Sequence, residues 1–130
     1  MDIPSTPIIV AGTGSWGTTL AIMLARHHRA VSLLARNEAE ADALRRAGEH
    51  ARYAPGVPFP SNLSITGDAE VLRQCEVLLL AVPSQTMRDN AIRLKPYLNS
   101  SAIVLSCAKG FERGSLQRMS EVLAEILSDQ

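Results

Sequence analysis

The chain has 130 residues, 46% of them apolar and 20% charged, with cationic and anionic side chains in equal number and a formal charge of zero. That length suits one domain with one packed core, and the composition excludes a disordered or low-complexity polymer. A neutral chain has no overall field to hold a nucleic-acid backbone or an anionic membrane, so any anion it binds must be held locally.

Short apolar runs alternate with longer amphipathic stretches, the pattern of strand and helix in turn. Ile8 to Ala11 reads as the first strand and Gly12-Thr13-Gly14 as the turn after it. A helix starts near Ser15, carries Trp16, Leu20, Met23 and Leu24 on one stripe, and fades at the Arg26-His27-His28-Arg29 cluster, where cations suit the partly negative last carbonyls. Val31 to Ala35 reads as a second strand. Asn37 is placed to cap a helix from Glu38 to Ala47, and Gly48 to end it. From Ala51 to Asn62, Pro55, Gly56, Pro58 and Pro60 remove backbone donors and forbid continuous helix, which predicts an ordered loop.

Leu63 to Thr66 is a short third strand, and Asp68 caps a short helix reaching Gln74. Val77 to Val82 is an unbroken apolar run, expected to be a strand buried on both faces. Pro83 and Ser84 punctuate, a helix runs on to Leu94, and Pro96 lies just beyond it. Ala102 to Cys107 is the fifth strand, and Leu116, Met119, Val122, Leu123, Ile126 and Leu127 form the stripe of a last helix. Five strands, each followed by a helix and joined by right-handed crossovers, predict an α/β fold with a doubly wound parallel sheet. Ligands of such sheets bind beyond the carboxyl ends of the strands.

Gly12, Gly14 and Gly17 make a G-x-G-x-x-G directly after a strand and across a helix start. The first glycine permits the tight turn, the second lets a pyrophosphate approach the backbone, and the third lets helix and strand pack closely. Amides at the helix N-terminus then face the phosphates, as in a Rossmann-type NAD(P)-binding domain; the other reading is a turn whose glycines serve backbone geometry alone. At the end of the second strand, where an acidic residue would bind the ribose 2′-hydroxyl of NAD, stands Arg36, 19 residues beyond Gly17. A guanidinium there can pair with a 2′-phosphate, favouring or at least admitting NADP(H); the other reading is a solvated arginine at a strand end.

Lys109, beside Gly110 after the fifth strand, is either a solvated cation or a group that attracts a substrate phosphate and polarises a carbonyl. Val82, Pro83, Ser84 and Gln85 occupy the same edge, either lining the nicotinamide end of the cleft or forming a turn with Ser84 as helix N-cap. Trp16 is expected to pack its ring while its backbone N–H faces phosphate.

His27 and His28 at a helix end and His50 in a loop have no second ligand at metal spacing and no nucleophile partner, so no metal site and no chemistry are assigned to them. Cys75 and Cys107, the only 2 cysteines, lie outside any paired spacing, which fits a reducing, cytoplasmic setting; Cys107 reads as packing. The longest apolar run is far short of the roughly 20 residues of a bilayer span, and Asp2, Pro4 and Pro7 break any signal-peptide pattern.

Four segments in order resemble the N-terminal domain of bacterial-type NAD(P)-dependent sn-glycerol-3-phosphate dehydrogenase. They are Gly12-Thr13-Gly14-Ser15-Trp16-Gly17-Thr18, Tyr53-Ala54-Pro55-Gly56 with Pro60 to Leu63, Val82-Pro83-Ser84-Gln85 with Met87-Arg88, and Ser106 to Glu112. The resemblance implies that Ser15, Trp16, Arg36 and Tyr53 contact an NADP or NAD cofactor and that Lys109 touches both cofactor and substrate. The implied reaction is reversible reduction of dihydroxyacetone phosphate to sn-glycerol 3-phosphate for phospholipid synthesis.

The family carries a second, helical domain with the proton-accepting lysine and most of the substrate-phosphate site, and this chain stops at Gln130. The expectation is a cofactor half, residues 1–130, that binds NADP(H) weakly or moderately and turns over little substrate alone, with a homodimer among the possible assemblies of the full-length protein. Two other readings are an NAD(H)-sensing module with no chemistry and a reductase of another short 2-oxo compound.

Overall fold

The computed structural model describes residues 7–27 and 30–128; the expected roles of Asp2, Pro4, His28, Arg29 and Gln130 lie outside them. Five short apolar runs become strands of one parallel sheet: β1 (Ile8–Ala11), β2 (Val31–Leu34), β5 (Leu63–Thr66), β6 (Val77–Leu80) and β7 (Ile103–Ser106), in the order β5-β2-β1-β6-β7. Pairing is in level register: Ala11 sits opposite Leu34 and Leu80, Leu34 opposite Thr66, and Leu80 opposite Ser106. The strands therefore end together, and the residues just after them form one rim. Strand order reverses between β1 and β6, which opens a crevice on that rim at the switch point.

Because successive strand side chains point to opposite faces, each strand feeds two cores. Ile9, Ala11, Leu34, Leu78 and Leu80 pack with Met87, Ala91 and Leu94 of α3 (Met87–Leu94) and Met119, Val122 and Leu123 of α4 (Met119–Leu127). On the other face Val10, Leu33 and Ile65 pack with Ala21, Ile22 and Ala25 of α1 (Ser15–Arg26) and Ala41 and Leu44 of α2 (Glu38–Ala47). Leu33, Leu78 and Leu80 are essentially inaccessible, and burying each contributes roughly 1.5–3 kcal/mol. Helix α2 is delimited locally. The Asn37 side chain accepts the Glu40 amide at 2.8 Å, and Gly48 ends the helix in the left-handed conformation, φ +70°.

The structure corrects several expectations. The stretch expected as a loop holds β4 (Ala54–Pro58), paired antiparallel with β3 (Glu49–His50) in a hairpin; Pro55 and Pro58 are accommodated because this ribbon is apart from the main sheet. His50 is accordingly in a strand. Ser84 does not cap a helix: it opens a 3-10 turn, Ser84–Thr86, whose N-cap is Pro83.

Leu116 lies outside α4, three-quarters exposed with φ +59°, so the last stripe begins at Met119. The fourth strand stops at Leu80, with Val77 and Leu79 only half-buried, and the fifth is an edge strand with Ile103 and Leu105 exposed. At an edge the helix layer need cover only one face, and α4 covers the face of Val104.

Candidate functional site

At the end of β1 the chain needs a glycine. Gly12 has φ +120°, and a Cβ there would lie 2.2 Å from the Ala81 carbonyl oxygen. Gly17 is required by close approach, since its Cβ would lie 2.0 Å from the Gly12 oxygen. Gly14 differs from both: a Cβ would meet nothing within 4 Å, so its missing side chain leaves open space beside the helix end. As the N-cap of α1, Gly14 offers no side-chain cap, and no acidic residue stands in the first turn. The first amides of α1 and their partial positive charge thus face open space at the rim, an arrangement that fits a diphosphate.

A cleft of about 560 Å³ runs from this turn past Arg36, Glu40, Tyr53 and Pro83. Arg36 is just beyond β2 with its side chain 83% exposed, its Nε 3.2 Å from Glu40 Oε2. The same oxygen accepts the Arg36 amide at 3.1 Å, and Glu40 Oε1 accepts the Thr13 hydroxyl. Burial alone would raise the Glu40 carboxyl, but the hydrogen bonds from Thr13 and Arg36 outweigh it and hold the group below its ordinary value.

His50 reaches back from the hairpin, its Nε2 at 2.8 Å from the Thr13 carbonyl oxygen. Its ring centroid is 4.9 Å from that of Tyr53, over which the Arg52 guanidinium lies at 5.2 Å.

A second cleft, about 630 Å³, lies on the β6–β7 side and is lined by Trp16, Pro83, Ser84, Ser106, Cys107 and Lys109. The structure thus brings Lys109 to the rim beside the residues after β6. The loop carrying it is braced from two sides. Gln85 donates to the Phe111 carbonyl and accepts the Arg113 amide, both at 2.9 Å. Arg88 makes a bidentate pair with Glu112, at 2.9 and 3.0 Å, and also reaches Gln117 and Glu125. Gln85, expected on the cleft edge with Val82, Pro83 and Ser84, lines neither cleft and braces the loop instead.

The Trp16 ring does not pack into the core: it is 55% exposed and forms a wall of this cleft. Burial pushes the Cys75 thiol up to about 11 and raises Cys107 as well; both cysteines are free. No group of His, Cys, Asp and Glu able to hold a metal occurs among the described residues.

Glu40 and Arg52, which no sequence signal marks, line the first cleft together with His50, to which the sequence assigns no chemistry. Glu40 follows Asn37 by three and reads there as an ordinary capping-box residue. Its bond to Thr13 spans 27 residues, and no local signal announces it.

Fold, reversed strand order and uncapped glycine turn together define a Rossmann-like nucleotide-binding domain. Residues 7–130 match the family model described as the N-terminus of NAD-dependent glycerol-3-phosphate dehydrogenase. Glycerol-3-phosphate dehydrogenase [NAD(P)+] of Desulfitobacterium hafniense (strain Y51) is 43% identical over 120 residues, 92% of this chain and 34% of that protein. The namesake from Carboxydothermus hydrogenoformans is 40% identical over 96% of this chain and 38% of its own length. The crystal structure of glycerol-3-phosphate dehydrogenase from Coxiella burnetii superposes with a TM-score of 0.87 at 33% identity, covering 95% of this chain and 38% of that one.

The chain belongs to the family of NAD-dependent glycerol-3-phosphate dehydrogenase N-terminal domains. It spans little more than a third of the length of the curated relatives it matches. No helix among the described residues is long and apolar enough to cross a membrane.

Proposed function

We propose that this chain is the cofactor half of an sn-glycerol-3-phosphate dehydrogenase, which reversibly reduces dihydroxyacetone phosphate with NADPH or NADH. The observation that carries the reading is the open space at Gly14: the turn places uncapped amides at the switch point, with a cation, Arg36, one strand over. Gly12 and Gly17 shape the turn, and the amides at Gly14, Ser15 and Trp16 hold the diphosphate. Arg36 and Tyr53 receive the adenosine end, and Pro83 and Ser84 border the nicotinamide end. The bound nicotinamide supplies the hydride.

Lys109 is the candidate catalytic and substrate-binding residue, its ammonium drawing the substrate toward the cofactor end and stabilising charge on the carbonyl oxygen. The brace of Arg88 on Glu112 supports this role by fixing the loop that carries it. The proton acceptor and most of the substrate-phosphate site are assigned to a helical domain outside these 130 residues, in keeping with the greater length of the relatives. Two free cysteines fit a reducing cytoplasm, and the product fits a role in glycerophospholipid synthesis.

Calorimetric titration of wild type and Arg36→Asp with NADPH and NADH tests the reading. Wild type binds both dinucleotides, and Arg36→Asp loses NADPH preferentially. Equal, weak binding of both cofactors to both proteins would remove the role given to Arg36, and robust glycerol 3-phosphate oxidation by the 130 residues alone would contradict the division of labour.

A further inference from the structure

We infer that Glu40 sets the balance between NADH and NADPH: its carboxylate accepts the ribose 2′-hydroxyl of NADH and repels the 2′-phosphate that Arg36 attracts. The inference rests on the dinucleotide reading above.

In this fold the 2′-oxygen of the adenosine ribose lies at the end of the second strand, where an acidic side chain accepts the hydroxyl and a basic one pairs with phosphate. Here the strand end carries the base, and the acid comes from the first turn of α2, four residues later. Both chemistries therefore meet at one place: Glu40 Oε2 is 3.2 Å from Arg36 Nε and 3.1 Å from the Arg36 amide.

A capping-box Glu at this position would reach back to the amide of the N-cap residue, Asn37. Glu40 instead bonds the amide one residue earlier and the hydroxyl of Thr13 in the glycine turn. Its carboxylate thus spans the rim from the diphosphate turn to the strand-end cation. It is 22% exposed against 83% for Arg36, so the acid is fixed and the guanidinium is free to swing. Arg36 can turn outward and leave the carboxylate to the 2′-hydroxyl, or turn over a 2′-phosphate. In the second state a carboxylate remains near the phosphate, and like charges in a partly dry site repel.

The test is calorimetric titration of the 130-residue chain with NADH, NADPH and 2′-deoxy-NADH, for wild type, Glu40→Gln and Glu40→Asp. In Glu40→Gln the Kd ratio moves about fivefold toward NADPH, by loss of one like-charge contact, and the movement shrinks as salt rises. Glu40→Asp, which keeps the charge, stays near wild type. Wild type binds 2′-deoxy-NADH several-fold more weakly than NADH, a comparison that needs no variant to fold. An unchanged ratio in Glu40→Gln, an equal loss of both cofactors, or 2′-deoxy-NADH binding like NADH would each overturn the inference. Wild type binding none of the three would instead overturn the dinucleotide reading itself.

Discussion

His50 Nε2 lies 2.8 Å from the carbonyl oxygen of Thr13, a hydrogen bond across 37 residues that ties the β3–β4 hairpin to the glycine turn. A carbonyl can only accept, so Nε2 carries the proton, and the neutral ring suffices to make the bond. His50→Phe keeps a ring beside Tyr53 and removes the donor. The expected cost is about 1 kcal/mol of folding stability, with severalfold weaker dinucleotide binding as the turn loosens. A denaturant melt paired with a titration reads both, and unchanged binding would show that the hairpin does not govern the turn.

Two glycines of the turn separate experimentally. Gly12→Ala forces a side chain onto φ +120° and into the Ala81 carbonyl, and should destabilise the fold by at least about 3 kcal/mol. Gly14→Ala meets only open space and should cost less than about 1 kcal/mol, yet its methyl occupies the approach to the helix amides and should abolish diphosphate binding. Thermal denaturation combined with NADPH titration distinguishes the two; normal binding by Gly14→Ala would mean that no phosphate comes near the turn.

Trp16 is the only tryptophan and stands half-exposed in the wall of the Lys109 cleft. Dinucleotide binding should quench its emission and shift it to the blue as water leaves the ring. A titration in which the spectrum stays fixed while calorimetry records binding would place the cofactor elsewhere.

The Lys109 loop should respond to acid through its brace. Hydrogen bonds from Arg88 and then Ser115 hold the Glu112 carboxyl below its ordinary 4.5, and Arg88 also lowers Glu125. A lowered carboxylate contributes stability that is fully present above about 4.5 and is lost as the pH falls through the folded-state value. Wild type should therefore lose melting temperature steeply below that pH. Glu112→Gln should start lower and fall less. Parallel curves for the two proteins between pH 3 and 6 would mean that the brace does not titrate with folding.

Lys109→Ala removes a solvent-facing ammonium without opening a cavity, so the 130-residue domain should keep its stability within about 0.5 kcal/mol. In the full-length polypeptide it should lower kcat/KM for dihydroxyacetone phosphate by at least about a hundredfold. Wild-type turnover by that variant would leave Lys109 as a surface charge with no part in the reaction.

Much of this molecule is written locally. The glycine turn is legible because a strand, a left-handed bend and an uncapped helix start each need only one or two residues of fixed type, and Asn37 and Gly48 delimit α2 for the same reason. The parallel sheet follows from the alternation of apolar runs with amphipathic stretches, since parallel strands require crossovers. Other features depend on which distant segments fold back on one another. The proline-rich stretch has the composition of a loop and becomes a strand because β3 supplies a partner for β4, and Trp16, apolar and at a helix start, stands half-exposed in the wall of a cleft. Glu40 and His50 acquire their places only because α2 and the hairpin pack against the glycine turn, through hydrogen bonds spanning 27 and 37 residues. Short-range sterics and capping can be read from neighbours in the chain; the polar lining of the cleft was decided by tertiary contacts, because a hydrogen bond between distant residues leaves no periodicity in the sequence.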